Sequence, residues 1–312
     1  MRPLPPELVQ RFSRDLASLA GDVPLRIGVA VSGGPDSLAL LLLAHAARPG
    51  AVEAATVDHG LRPEAAAEAE HVAALCARLD IAHETLRPAS PIRGNVQSGA
   101  REARYLLLET WRAGRGLDWL LTGHHADDQA ETLLMRLNRG AGIGGLGAVR
   151  AVNERVLRPL LGWRRAELAA IARTAGVDPV EDPSNFDPRF DRARLRSRLA
   201  EAEWIDPLAM TRSAQALSEA NAALDWAADR LIEERVAPGD GALDPTGLPS
   251  ELRRRLVLRM LRRINPAAEP RGDALTRLLQ ALDAGKVATL AGVRCRGGAR
   301  WSFAAAPARR SG

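Results

Sequence analysis

Lysine is nearly missing from this chain: of its 43 basic side chains, only Lys286 is not an arginine. That scarcity excludes a good deal of chemistry. A Walker A loop needs Gly-Lys-Ser/Thr to reach the terminal phosphates of a nucleotide, and the single Gly-Lys pair, Gly285-Lys286, is followed by Val287. A Schiff-base or lysyl-adenylate enzyme would have to rely on the same Lys286, in a Gly-flanked turn. Cysteine is also scarce. Cys76 and Cys295 lie far apart with no CxxC and no companion histidine spacing, which argues against a disulfide framework and a zinc site. Histidine stops at His125. No apolar run approaches the roughly 18 residues that a bilayer span requires, and MRPLPPELVQRF lacks the apolar stretch of a signal peptide, so the expected location is the cytoplasm.

Apolar material is ample, at 46% of 312 residues. The chain is about twice the usual single-domain length of roughly 150 residues, and two domains are expected. Charge divides unevenly. Residues 1–150 hold 16 basic and 17 acidic side chains, net −1, and residues 151–312 hold 27 and 21, net +6. A neutral half joined to a basic half fits a polyanionic partner such as RNA, although a GC-rich genome also enriches arginine.

The first half alternates between two periods. LRIGVAVS (25–32), VEAATVDH (52–59), AHETLR (82–87) and DWLLTGH (118–124) read as short strands, with RVLRPLL (155–161) as a further one. Helical patterns lie between them at 36–47, 64–80, 97–114 and 126–140, and another spans 163–176 up to Gly176. This order predicts an α/β fold, a doubly wound parallel sheet covered on both faces, with ligands at the C-terminal strand ends. VDPVEDPSNFDPRFDR then breaks regular structure, and the first domain is expected to cover 1–205. From 206 to 312 a smaller, mainly α-helical domain is expected, with helices over 207–236, 249–264 and 271–284 and a terminal hairpin over 287–304 turned at Gly297-Gly298.

The stretch VSGGPDS (31–37) follows the first strand and opens a helix. Gly33 and Gly34 let backbone N–H groups close on an anion, Ser32 and Ser37 add hydroxyls, and Pro35 starts a helix whose positive dipole end faces the same point. Asp36 is the odd member, because a carboxylate beside a phosphate is repulsive unless a divalent cation lies between them. Nucleotide plus magnesium is implied, against the plainer reading of a tight turn with a helix-start charge. At the end of the fourth strand TGHHADDQAE (122–131) sets Asp127, Asp128 and Glu131 close together, with 128 and 131 on one helical face. One acid can complete a magnesium site and another hold a substrate ammonium, and His124 and His125 can bind phosphate or carry protons. N-capping acids on an ordinary helix are the simpler alternative.

SGGPDS resembles the SGGxDS signature of the PP-loop, or N-type ATP pyrophosphatase, superfamily. With VDHGLRPEAAAEAEHV (57–72), AREARY (100–105), TGHHADDQAETLLMRLNRGAGIGGLGAV (122–149), RPLLGWRRAEL (158–168) and EDPSNFDPRFDRARLR (181–196), residues 25–200 resemble the bacterial tRNA(Ile)-lysidine synthetases. The resemblance implies a Rossmann-like catalytic domain in which Ser32, Gly33, Gly34, Pro35, Asp36, Ser37 and His124 bind ATP, and Asp36 and Asp128 hold Mg2+. It makes Arg104 and Glu131 candidates for gripping free L-lysine, with Asp127 and Asp128 beside them, and Arg192 and Arg196 candidates for stabilising phosphate or an adenylated cytidine. Where the family usually has Arg-Asn, Ala193 follows Arg192, which puts one contact in doubt. The partner implied is tRNA(Ile) with the anticodon CAU. The sequence does not choose between a monomer and a homodimer.

Arginine clusters admit a plain reading and a functional one. Arg254, Arg255 and Arg259, on a helix that buries Leu256, Leu258 and Leu261, are either a solvated face or a phosphate track for tRNA. The rivals are a PP-loop tRNA thiolase, which needs catalytic cysteines this chain does not offer as a pair, an amidating synthetase, which needs no basic half, and an ATP/RNA-binding module without turnover.

Overall fold

Short apolar segments form the middle of the molecule. In the computed structural model, which describes residues 2–21, 25–60, 64–89, 96–180, 189, 191–237 and 241–307, β1 (Ile27–Ala30) pairs in parallel with β2 (Val52–Val57) on one side and β4 (Trp119–Leu121) on the other. Ile27 stands opposite both Val52 and Trp119. β3 (Ala82–Leu86) continues the sheet beyond β2 and β6 (Val156–Leu157) beyond β4, and β5 (Val152–Asn153) closes the edge antiparallel to β6. The order β3-β2-β1-β4-β6-β5 reverses direction between β1 and β4, the point at which a doubly wound sheet opens a crevice.

The helices covering this sheet follow from their patterns. α2 (Pro35–Ala47), PDSLALLLLAHAA, is apolar on all sides, and Leu38 to Ala44 are all buried, as expected for a helix with protein on every face. α1 (Pro6–Ala20) and α7 (Arg165–Ala175) pack against it. α1 was not among the expected elements. Its amphipathic stripe buries Phe12 and Leu16, and its Asp15 accepts the indole N–H of the fully buried Trp163 at 2.8 Å. α3 (Glu64–Arg78) and α4 (Val96–Gly114) complete the cover, α4 burying Leu108 and Trp111. α5 (Ala126–Asn138), the short α6 (Ile143–Leu146) and α8 (Asp191–Glu201) follow, with α8 packed on α5.

The chain forms two compact units, Met1–Ser218 and Glu219–Gly312; α9 (Pro207–Arg235) has residues in both. The second unit contains α10 (Ser250–Ile264), α11 (Gly272–Asp283) and a sheet of β7 (Val287–Leu290), β8 (Val293–Arg296) and β9 (Ser302–Ala305). Its own core includes Leu256, Met260, Leu278, Leu282, Val293 and Trp301. The expected single hairpin is corrected to three antiparallel strands. The first turn, Ala291-Gly292, has φ of +50° and +74°, the left-handed pair that a two-residue hairpin requires. Gly297 and Gly298 lie in the second connection, between β8 and β9. An Ala-Gly pair lacks the asparagine or aspartate that usually marks such a turn, so it carried no signal. No helix among the described residues is long and apolar enough to cross a membrane.

Candidate active site

The loop after β1 is held by its own hydroxyl. Ser37 Oγ accepts from Ser32 N–H (3.1 Å), donates to Gly34 O (3.0 Å) and lies 3.2 Å from Ser32 Oγ. Ser37 is thus buried as the tie of the loop, and Ser32 is the exposed hydroxyl. Gly33 takes φ +83°, and its carbonyl accepts Val180 N–H at 2.9 Å. Gly34 caps α2 with no side-chain bond and Pro35 occupies the first turn, so the first N–H groups of a buried helix face the crevice. Free N–H groups at a helix start are the element from which an anion site can be built.

The opposite wall is Thr122 to His125, at the end of β4. A Cβ on Gly123 would lie 3.2 Å from the backbone of Asp36 and Ser37, so any other residue would push this turn a few tenths of an ångström from the start of α2. His125 is fully buried and caps α5: its Nδ1 accepts Asp128 N–H (3.3 Å) and its own N–H donates to Asp128 Oδ2 (3.2 Å). A lone pair on Nδ1 places the ring proton on Nε2, which lies 3.3 Å from Asp36 Oδ2 and 3.5 Å from Asp128 Oδ2. Burial opposes charge on this ring, but the two carboxylates outweigh it and raise its pKa. Nδ1 is thus engaged by Asp128 N–H, and Nε2 faces the two carboxylates. His124 behaves oppositely. Burial first, then the positive fields of Arg158, Arg101 and Arg192, overcome Asp128 and lower its pKa to about 3; it is a neutral ring, 3.0 Å from Thr122 Oγ1.

The three acids of α5 have different neighbours. Asp127 accepts Arg165 N–H (2.8 Å) and the Arg164 guanidinium (3.2 Å), which ties α5 to the start of α7. Asp128 accepts Arg192 at 2.8 Å. Glu131, 2% exposed, accepts Arg192 Nε (2.7 Å), Arg196 Nε (2.8 Å) and Arg165 (3.3 Å). For all three, burial pushes the pKa up, and the guanidiniums, with histidine fields at Asp127 and Asp128, more than reverse it; each ends below the usual carboxylate range. All of this leaves the Glu131 carboxylate engaged by three arginines in this structure. Arg164 and Arg165 were not picked out from the sequence, although both stand in the quoted RPLLGWRRAEL.

Asp36 is the unsatisfied member. Its Oδ1 is buried with no hydrogen-bond partner among the described residues. Arg104 is exposed on α4 and has no ion pair there either; its charge is felt at His59, whose pKa is lowered by burial first and by Arg104 second. Residues 181–188 and 190 of the EDPSNFDPRFDRARLR stretch lie outside the described residues. In the second unit, Arg254, Arg255 and Arg259 do not form an open track. Arg255 is buried and paired with Asp225 (2.7 Å) and Glu251 (2.9 Å), Arg254 bonds Glu251 (2.8 Å), and Arg259 bonds Asp229 (2.5 Å) and Asp225 (3.2 Å). Cys76 and Cys295 are each buried in the core of their own unit, and burial pushes both thiols up to about 11.

Comparison with known proteins agrees with this geometry. The PP-loop domain family matches residues 8–203. A tRNA(Ile)-lysidine synthase of Novosphingobium aromaticivorans is 48% identical over 96% of this chain and 94% of its own length, and one of Zymomonas mobilis is 42% identical over 91% and 90%. Among solved structures, a U34-tRNA thiolase from Methanococcus maripaludis, described with its 4Fe-4S cluster, shares the fold with a TM-score of 0.56 at 17% identity, over 68% of this chain and 79% of that one. The PP-loop match over residues 8–203 and identity above 40% along nearly the whole length place the chain in the tRNA(Ile)-lysidine synthase family of PP-loop proteins.

Proposed function

We propose that the protein joins free lysine to the wobble cytidine of the tRNA(Ile) whose anticodon is CAU, consuming ATP. The cytidine 2-carbonyl oxygen attacks the α-phosphorus and pyrophosphate leaves. The ε-amine of lysine then attacks ring carbon 2, AMP leaves with the carbonyl oxygen, and the amine loses a proton. The observation that carries this reading is the lysine-free loop Ser32–Ser37 at the start of α2, beside the half-buried Asp36 and Asp128 and the buried Glu131, in a chain whose relatives are lysidine synthases along nearly its full length. Without a Walker lysine, main-chain N–H groups and the helix dipole hold the departing pyrophosphate.

Each residue has a defined task in this reading. Ser32 and the N–H groups at the start of α2 bind phosphate, and Ser37 keeps the loop closed. His124 is a neutral hydrogen-bonding group for the nucleotide, and Arg104 suits the α-carboxylate of lysine. Arg192 and Arg196, oriented by Glu131, face charge that develops on the phosphate or the adenylated base. Asp127 is assigned to holding α7. Asp36 and Asp128 would hold Mg2+: Asp36 Oδ1 is buried with no hydrogen-bond partner among the described residues, and two acids suit an ion that uses one or two carboxylates and takes its other ligands from phosphate and water. When bound, that ion supplies positive charge to the pyrophosphate. Soluble substrates of this kind place the reaction in the cytoplasm.

Incubation with ATP, labelled lysine and bulk tRNA tests the reading. AMP is expected only when lysine and tRNA are both present, with label in the isoleucine tRNA; without lysine, tRNA should release at most one equivalent of pyrophosphate, and ADP with orthophosphate would overturn the reading. The thiolase alternative is disfavoured by Cys76 and Cys295, both buried and held as thiols.

A further inference from the structure

The excess positive charge of the second half of the chain is concentrated at one place. Residues 151–283 hold 21 basic and 21 acidic side chains, whereas residues 284–312 hold six basic and no acidic ones. Four of the six, Lys286, Arg294, Arg296 and Arg300, lie in or beside the three-stranded sheet and are exposed; Arg309 and Arg310 lie outside the described residues. α10 shows what arginines do in this unit when acids are at hand: Arg254, Arg255 and Arg259 pair with Glu251, Asp225 and Asp229. Arg294 and Arg296 make no ion pair and no side-chain hydrogen bond among the described residues.

Strand register makes these two residues one surface. Side chains alternate along a strand, and in β8 Val293 and Cys295 are buried in the core while Arg294 and Arg296 face away from it. Arg294 stands opposite Thr289 of β7 and Ala304 of β9, and Arg296 opposite Val287 and Ser302. All four neighbours are exposed. The outer face therefore carries two guanidiniums, about 7 Å apart along the strand, flanked by hydroxyl and small side chains and by no carboxylate. Phe303 packs inward opposite Cys295, so the face offers no ring on which a base could stack. Val287 alone is too little apolar surface to enter a bilayer or seal a protein interface. Arginine and hydroxyl donors without acids suit the phosphate and sugar oxygens of a nucleic-acid backbone.

We propose that the outer face of the β7-β8-β9 sheet binds the sugar-phosphate backbone of tRNA through Arg294 and Arg296, without reading its sequence. This deepens the tRNA-modifying reading above and rests on it. In the full chain, Arg294→Gln with Arg296→Gln should weaken tRNA binding in 0.1 M salt by about tenfold or more. The slope of log affinity against log salt should fall by roughly 1.4 to 1.8, the loss of two phosphate contacts. Isoleucine tRNA and bulk tRNA should be weakened alike, and the KM for tRNA should rise while the KM for ATP stays. Arg294→Lys with Arg296→Lys keeps both charges and should keep the wild-type slope. Because both side chains are exposed, the thermal midpoint of either double variant should not move. A glutamine pair with the affinity and slope of the wild type would overturn the proposal and leave the face to an acidic protein. A lysine pair as weak as the glutamine pair would also overturn it, and so would a loss of affinity that tracks a loss of folding. Affinity and slope are read without turnover, so a wild type that binds tRNA as stated but transfers no lysine refutes the reaction assigned above and not this face.

Discussion

α8 reads DRARLRSRLAE and α10 reads SELRRRLVLRMLRRI, and in both helices arginines find carboxylates at hydrogen-bonding distance. The carboxylates differ. Arg192 and Arg196 meet Asp128 and Glu131, whose side chains are 14% and 2% exposed, on a separate element at the C-terminal edge of the sheet. Arg254, Arg255 and Arg259 meet Glu251, Asp225 and Asp229, which are 34%, 44% and 67% exposed and lie on α10 itself or on α9. Exposed pairs of the second kind are worth little each and serve to join two helices. Buried acids of the first kind are costly to desolvate, and a fold retains them where their arginines must be aimed. A run of arginine in sequence does not reveal which kind of acid it will meet.

The largest effect should come from Asp36, which has no arginine ion pair among the described residues. Asp36→Asn keeps the size of the side chain and removes its charge; turnover should fall by about a hundredfold or more, the scale for losing one preorganised charge-stabilising group. Filter binding should find tRNA affinity nearly intact, and an equal loss of tRNA affinity would mean that the loop is structural. Glu131→Gln comes next. It leaves Arg192, Arg196 and Arg165 around a neutral amide, and because those guanidiniums are partly exposed, a stability loss of about 1–3 kcal/mol is expected, less than for a wholly buried pair. Its kcat should fall more than its KM for ATP changes. If Glu131 instead receives the lysine ammonium, the KM for lysine will rise alone.

Acid titration separates two sets of groups in the crevice. His124 resists protonation down to about pH 3 in the folded protein, while an unfolded histidine takes its proton near pH 6.5. The unfolded chain binds more protons between those values, so stability rises with pH across that window and is lost as pH falls through it. Asp127, Asp128 and Glu131 have lowered pKa values, so their contribution is complete above the unfolded values near 4 and disappears as pH falls through the folded ones. His124→Gln should flatten the denaturant-unfolding curve between about pH 6.5 and 4.5 and leave the steeper fall below pH 4 in place. An unchanged curve in the upper window would show that His124 is solvated.

The strands and helices of the parallel sheet were legible because they depend on local chemistry; the strand order was not read. β1, β2 and β4 are short, largely apolar segments and β3 an alternating one, all cut by turns, and Gly33, Gly34 and Pro35 admit few backbone paths. α1 was overlooked because its stripe begins behind Pro5-Pro6 with no capping side chain. The arrangement within the acid trio was not legible at all. Asp127, Asp128 and Glu131 stand within five residues, yet their partners Arg164, Arg165, Arg192 and Arg196 arrive from helices that follow much later in the chain. Spacing identifies which acids share a helical face; it carries no information about which cations reach them.

The smallest expected effect tests the comparison most directly. In Arg254→Gln with Arg259→Gln, each lost partner was held by a half-exposed acid, so unfolding should cost about 1 kcal/mol or less. If these arginines touched tRNA phosphates, each loss would reduce the slope of log affinity against log salt by about 0.7 to 0.9. Because both guanidiniums are occupied by Glu251, Asp225 and Asp229, the slope should stay within half a unit of the wild type. Arg255→Met supplies the matched control, since Arg255 is buried and its removal should lower stability more than the double variant does, with the same slope. A flattened slope in the double variant would mean that RNA displaces those acids, and α10 would then belong with α8 as a helix that meets substrate.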